Sequence, residues 1–159
     1  MAGEKCPVLY LLHGYGGNAG TWLGIKPELP QIADKEGIIF VCPDGKNSWY
    51  WDSPLNKEYR YETFVSKELV NYIDKNFTTK VERGGRAITG LSMGGHGSLW
   101  LSIRHKDVFG GGGSMSGGLD IRPFPNNWEM KKQLGEEASN KQRWDEHTVI
   151  NQLDKIKKW

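Results

Sequence analysis

A serine with glycine two residues away on either side, Gly90-Leu91-Ser92-Met93-Gly94, is the segment of this chain that points most directly to chemistry. It follows an apolar stretch, Arg86 to Thr89, that reads as a short strand, and precedes a helical pattern from Gly94 to His105. A nucleophile on so tight a strand-to-helix turn sits in strained backbone, and side chains at the flanking positions would collide, so glycine is required there. The turn lifts the Ser92 hydroxyl above the sheet edge. The start of the next helix then offers N–H groups and a positive dipole end to a developing oxyanion.

A second glycine-rich loop, His13-Gly14-Tyr15-Gly16-Gly17, closes the apolar run Val8 to Leu12. Two such loops at the carboxyl ends of parallel strands converge on one crevice, and the N–H groups of Tyr15 and Met93 are the expected oxyanion hole. Gly14 to Ala19 also fits the dinucleotide fingerprint G-x-G-x-x-A, which requires a helix to begin at once. Thr21, Trp22, Gly24, Pro27 and Pro30 follow instead, and the next strand ends in Pro43-Asp44, so a nucleotide cofactor is not expected.

Four apolar runs read as buried strands that carry these loops: Val8 to Leu12, Ile38 to Cys42, Arg86 to Thr89 and Phe109 to Met115. Helical patterns alternate with them. Glu62 to Phe77 carries a stripe of Val65, Leu69, Tyr72, Ile73 and Phe77; the others are Gly94 to His105 and Thr148 to Lys158. The alternation predicts an α/β three-layer sandwich with a mainly parallel sheet. At 159 residues the chain is one domain, 1–159. A net charge of +2, with one basic run at Lys155 to Lys158, gives no nucleic-acid footprint. The longest apolar stretch, Pro7 to Leu12, is far below the ~20 residues of a membrane span, and Met1 to Lys5 lacks signal-peptide anatomy. If the run that Cys6 opens and the run that Cys42 closes are neighbouring parallel strands, the two thiols lie at opposite ends and are expected to stay reduced, which leans toward a cytoplasmic setting.

The segments Pro7 to Gly17, Asp44 to Pro54 (D-G-K-N-S-W-Y-W-D-S-P), Tyr61 to Phe77 and Arg86 to Leu99 (R-A-I-T-G-L-S-M-G-G-H-G-S-L) resemble the esterase D family of α/β-hydrolases. Its tributyrin, acetyl xylan and feruloyl esterases are the nearer members and its mycolyltransferases the more distant. The resemblance continues through Ser116-Gly117-Gly118 and Trp128 to Leu134. It implies that Ser92 is the acylated nucleophile, that Tyr15 and Met93 give the oxyanion hole, and that Trp49 and Tyr50 border the acyl or alcohol site. It also implies two strands before the first one here and a later acid and histidine, so the chain reads as the core portion of the fold.

No apolar strand followed by an acid, and no glycine-flanked histidine, comes after Asp120. His147 follows Asp145 and could formally complete a triad order, though its polar surroundings read as a linker or first helical turn. His13 and His96 belong to the motifs and are expected to orient loops, and His105 sits at a helix C-terminus. Trp22, Trp100, Trp128 and Trp144 read as core or interface bulk rather than a sugar platform, and Ser116 as an echo of the turn without its first glycine. No metal set emerges, and no cofactor is expected.

The resemblance implies hydrolysis of short-chain or sugar-linked carboxylic esters through an acyl-serine, a small-molecule ester being the partner. The alternatives are a catalytically incomplete chain that folds and binds, or an S-formylglutathione hydrolase or acyltransferase. Open parallel sheet edges would favour self-association.

Overall fold

Strand β1 (Val8–Leu12) is apolar at every position and lies buried between neighbours on both sides, as a central parallel strand must. The computed structural model describes residues 3–158. Helices α1 (Thr21–Ile25) and α2 (Leu29–Glu36) lead to β2 (Ile39–Val41), which pairs with β1 on one side. Strand β3 (Arg86–Gly90) pairs on the other, and β4 (Gly111–Gly112) follows, giving a parallel sheet in the order β2-β1-β3-β4. The register sets Leu12 opposite Gly90, so β1 and β3 end level and release their loops side by side. The Leu91 N–H donates to the Leu12 carbonyl at 3.2 Å and ties the two loops at their roots.

The fourth strand is shorter than the Phe109 to Met115 run predicts. Helix α5 (Met93–Arg104) explains why: a Cβ at Gly112 would run into the Ser102 hydroxyl, and one at Gly110 into the Arg83 carbonyl. The glycine run is a seat for close packing of a helix and a neighbouring turn, and only a single bridge from Leu91 to Met115 extends the ladder beyond it.

The long helical pattern is continuous but not uniform. It opens as α3 (Tyr61–Thr63), widens into a π-helical stretch Phe64–Leu69 and continues as α4 (Val70–Asn76). A π turn inserts a residue into the α repeat and rotates the buried face. Val65, Val70 and Ile73 therefore face the core, whereas Tyr72 and Phe77, read from the sequence as part of the stripe, are exposed. After β4 the chain forms α6 (Met130–Leu134), α7 (Lys141–Glu146) and a 3-10 helix, Val149–Lys158, where an α-helix was expected. Across 149–156 the buried residues are Val149 and Gln152, three apart as one 3-10 turn requires.

The core gathers Tyr10, Leu12, Ile88, Trp51, Trp100 and Trp144 around the sheet and α5. Cys6 and Cys42 are both free thiols. Among the described residues, no helix is long and apolar enough to cross a membrane.

Candidate active site

Ser92 links β3 to α5 with φ 55° and ψ −113°, a conformation that costs a non-glycine residue about 1–3 kcal/mol. Its neighbours hold it there. A Cβ at Gly90 would overlap the Gly94 carbonyl, and a Cβ at Gly94 would overlap the Leu12 carbonyl, so both glycines are demanded by backbone packed against backbone. The Ser92 N–H donates to Met115 O at 2.8 Å, and the Gly94 N–H to Leu91 O at 2.8 Å. Met93 is the first residue of α5, so its N–H has no partner within the helix and points from the positive end of the dipole.

The loop after β1 lies directly against this turn: a Cβ at Gly14 would sit 3.5 Å from the Ser92 Cβ. The Gly17 N–H donates to Gly14 O at 3.0 Å, closing a turn with Tyr15 and Gly16 at its apex. His13 anchors the turn from beneath. Its Nε2 accepts the Gly45 N–H at 2.9 Å, so Nε2 is unprotonated and Nδ1 carries the hydrogen that goes to Gly14 O at 2.7 Å. His96 is locked in the same way, with Nε2 accepting from Trp51 Nε1 at 2.9 Å and Nδ1 donating to Gly118 O at 2.8 Å. Complete burial pushes its pKa down to about 4, so it stays neutral. Both motif histidines are fixed struts.

Ser92, Tyr15 and Trp49 line a pocket of about 280 Å³, walled further by Ile121, Phe124 and Trp128. Ser116, Gly117, Gly118, Asp120 and Met130 complete it. Trp49 has φ 56° and is held by a bond from its Nε1 to Trp128 O at 3.2 Å. Tyr50 does not line the pocket, which corrects its reading as a substrate contact. It is wholly buried, its ring wedged where Gly45 and Gly97 leave room, and its hydroxyl donates to His13 O at 2.9 Å. Burial pushes its phenol pKa well up, so it remains a donor to the Tyr15 loop.

No histidine lines the pocket among the described residues. Asp120 does, but its carboxylate is clasped by Arg122, Nε to Oδ1 at 2.8 Å and Nη2 to Oδ2 at 2.9 Å, and is held below the usual range by those bonds. His147, the histidine with the right chain order, stacks on Trp100 with ring centres 5.4 Å apart and bonds through Nδ1 to Arg143 O at 2.7 Å. It lines a separate cavity with Glu62 and His105.

The aromatic walls Phe124 and Trp128, together with Asn47 and Glu129 behind Tyr15, were not read from the sequence as site residues. The loop that bears three of them is irregular, so no periodicity marks it, and Trp128 carries the same bulk as the buried tryptophans. Only the consecutive left-handed residues Trp128 and Glu129, at φ 50° and 55°, distinguish it, and that is visible only in the backbone.

Residues 1–157 match the family described as “Putative esterase”. An acetyl esterase of Caldicellulosiruptor saccharolyticus is 33% identical over 118 residues, covering 74% of this chain and 44% of that protein. A solved ferulic acid esterase aligns with a TM-score of 0.69 and 30% identity over 91% of this chain and 59% of its own. The S-formylglutathione hydrolase of Agrobacterium tumefaciens, at 22% identity, has a TM-score of 0.78 over 95% of this chain and 60% of its own. The chain thus spans three fifths or less of the length of these relatives. With its parallel sheet and glycine-flanked turn, the chain belongs to the esterase family and has the α/β-hydrolase fold.

Proposed function

We propose that the chain acts on carboxylic esters through an acyl-serine formed at Ser92. The Ser92 oxygen attacks the ester carbonyl carbon, and the carbonyl oxygen takes the negative charge between the N–H groups of Tyr15 and Met93. The bond to the alcohol oxygen then breaks, and the alcohol leaves with the proton that Ser92 gave up. Water repeats the sequence on the acyl-serine and releases the acid. The observation that carries this reading is the left-handed Ser92 between two glycines that no other residue can replace.

The pocket volume and its walls Trp49, Ile121 and Phe124 suit a short or planar apolar acyl group, in keeping with relatives named acetyl esterase and ferulic acid esterase. The partner is a small-molecule ester. Transfer to an alcohol, or to water from a thioester such as S-formylglutathione, would use the same acyl-serine with a different acceptor or leaving group.

A second reading follows from a pocket that no histidine lines among the described residues: the site binds and accepts an acyl group but turns over slowly. Serine enzymes stripped of their triad keep roughly 10³–10⁴-fold acceleration from binding and the oxyanion hole. Hydrolysis of p-nitrophenyl acetate and butyrate, beside Ser92→Ala, separates the cases. Sustained turnover lost in the variant supports the hydrolase. A burst of one p-nitrophenolate per chain followed by a slow phase supports the second reading, and equal rates in both proteins contradict both.

A further inference from the structure

The apex of the Tyr15 loop is held by a bridge that the reaction just described does not use. Asn47 Oδ1 accepts the Gly16 N–H at 2.9 Å, and Asn47 Nδ2 donates to Glu129 Oε2 at 3.4 Å. The other oxygen of Glu129 is engaged by Lys132 Nζ, and its carboxylate also faces the Tyr15 phenol. Three distant stretches of chain, at Tyr15-Gly16, Asn47 and Glu129, therefore meet at one rim of the Ser92 pocket.

Backbone conformation marks the same place. Trp128 and Glu129 are consecutive left-handed residues, as are Trp49 and Tyr50, and the bond from Trp49 Nε1 to Trp128 O joins the two pairs. Strain in non-glycine residues persists where surrounding structure over-determines it, and such residues cluster at functional sites. Here the strain turns Trp128 into the pocket wall while aiming Glu129 at Asn47.

We propose that Asn47 and Glu129 are positioning residues: their side-chain bridge fixes the Tyr15-Gly16 turn, sets the Tyr15 N–H for the oxyanion, and couples it to the Trp128 wall. The inference rests on Ser92 being the nucleophile. An amide is needed at position 47 because it must accept from Gly16 and donate to Glu129 at once. A carboxylate there would still accept from Gly16 but would repel Glu129. Making position 129 an amide in the same chain would restore the bond with donor and acceptor exchanged.

The test is phosphorylation of Ser92 by diethyl p-nitrophenyl phosphate, followed by p-nitrophenolate release and by intact mass, with the maximal rate and the half-saturating concentration measured separately. Loss of a whole oxyanion donor costs about 10²–10³-fold, so a misplaced one is expected to cost on the order of 10-fold. Asn47→Ala and Asn47→Asp should each lower the maximal rate by about that factor with half-saturation unchanged. Asn47→Asp combined with Glu129→Gln should recover to within about 3-fold of the original. A single Asn47→Asp that reacts at the original rate, or a double variant no faster than the single, overturns the proposal. Failure of the unaltered chain to react at Ser92 overturns the nucleophile reading and the bridge with it.

Discussion

The two ends of α5 solve opposite problems. At its N-terminus the polar groups are backbone N–H groups with no helical partner, the residues are mostly glycine, and the nearby histidines are held in place, each donating through Nδ1 to a backbone carbonyl. At its C-terminus every charge is answered from within. Glu62 accepts from Trp100 Nε1 at 3.1 Å, Arg104 Nε at 2.8 Å and His105 Nε2 at 2.7 Å, while the Arg104 guanidinium lies 4.4 Å over the Trp100 ring. His105 thus does more than sit near a helix end. The cluster around Glu62 satisfies its own charges and holds the helix end in place, whereas the end with unspent backbone donors is the one suited to a ligand.

Gly94→Ala should have the largest effect at the N-terminal end. The added methyl meets the Leu12 and His13 carbonyls, backbone that cannot retreat, so we expect a loss of 3 kcal/mol or more, on the order of a strongly overpacked core site. Chemical denaturation measures it, and a loss below about 1 kcal/mol would mean the turn is not held as described. At the other end, Glu62→Ala leaves the buried Trp100 N–H unpaired and takes the carboxylate from half-buried Arg104 and His105, and should cost about 3 kcal/mol, while the reaction of Ser92 per folded molecule stays within about 2-fold. A large fall in Ser92 reactivity would show that the two ends are coupled.

Acid separates the ends as well. His96 titrates near 4 when folded against about 6.5 when unfolded, so its contribution is whole above about pH 6.5 and lost as pH falls toward 4. That amounts to about 3 kcal/mol. Burial alone would raise the Glu62 carboxyl, but bonds from His105 and Arg104 outweigh it and hold its pKa below the ordinary value. Its contribution is therefore lost only as pH falls below about 4.3. Stability followed by denaturant melts from pH 7 to 3 should fall first through the His96 window, where His147, its pKa also lowered by burial, adds to the loss, so His96→Gln should shrink that limb without abolishing it.

Tyr50→Phe is the mildest change. It removes the donor to the His13 carbonyl, for an expected loss of about 1 kcal/mol and a several-fold slower reaction at Ser92. An unchanged rate would show that the Tyr15 loop needs no support from behind.

Much of this arrangement is legible in the chain itself. The apolar runs at β1 and β3 and the glycine spacing around Ser92 announce the sheet centre and the turn, because buried parallel strands and backbone-to-backbone contact leave little choice of residue. The helix from Tyr61 was legible in extent but not in face, since a π turn moves the buried side from Tyr72 to Val70 and no residue type signals it. The role of Tyr50 was hidden for a related reason: burial behind a loop and exposure in a pocket both favour an aromatic ring. Asn47 and Glu129 are far apart in sequence and meet only through two strained turns.

Intact and peptide mass spectrometry of the chain after brief exposure to p-nitrophenyl butyrate and acid quench tests acylation at Ser92. One butyryl group on the peptide that holds Ser92, absent from Ser92→Ala, is the predicted result. A butyryl group elsewhere, or none while p-nitrophenolate is released equally by both proteins, would contradict it.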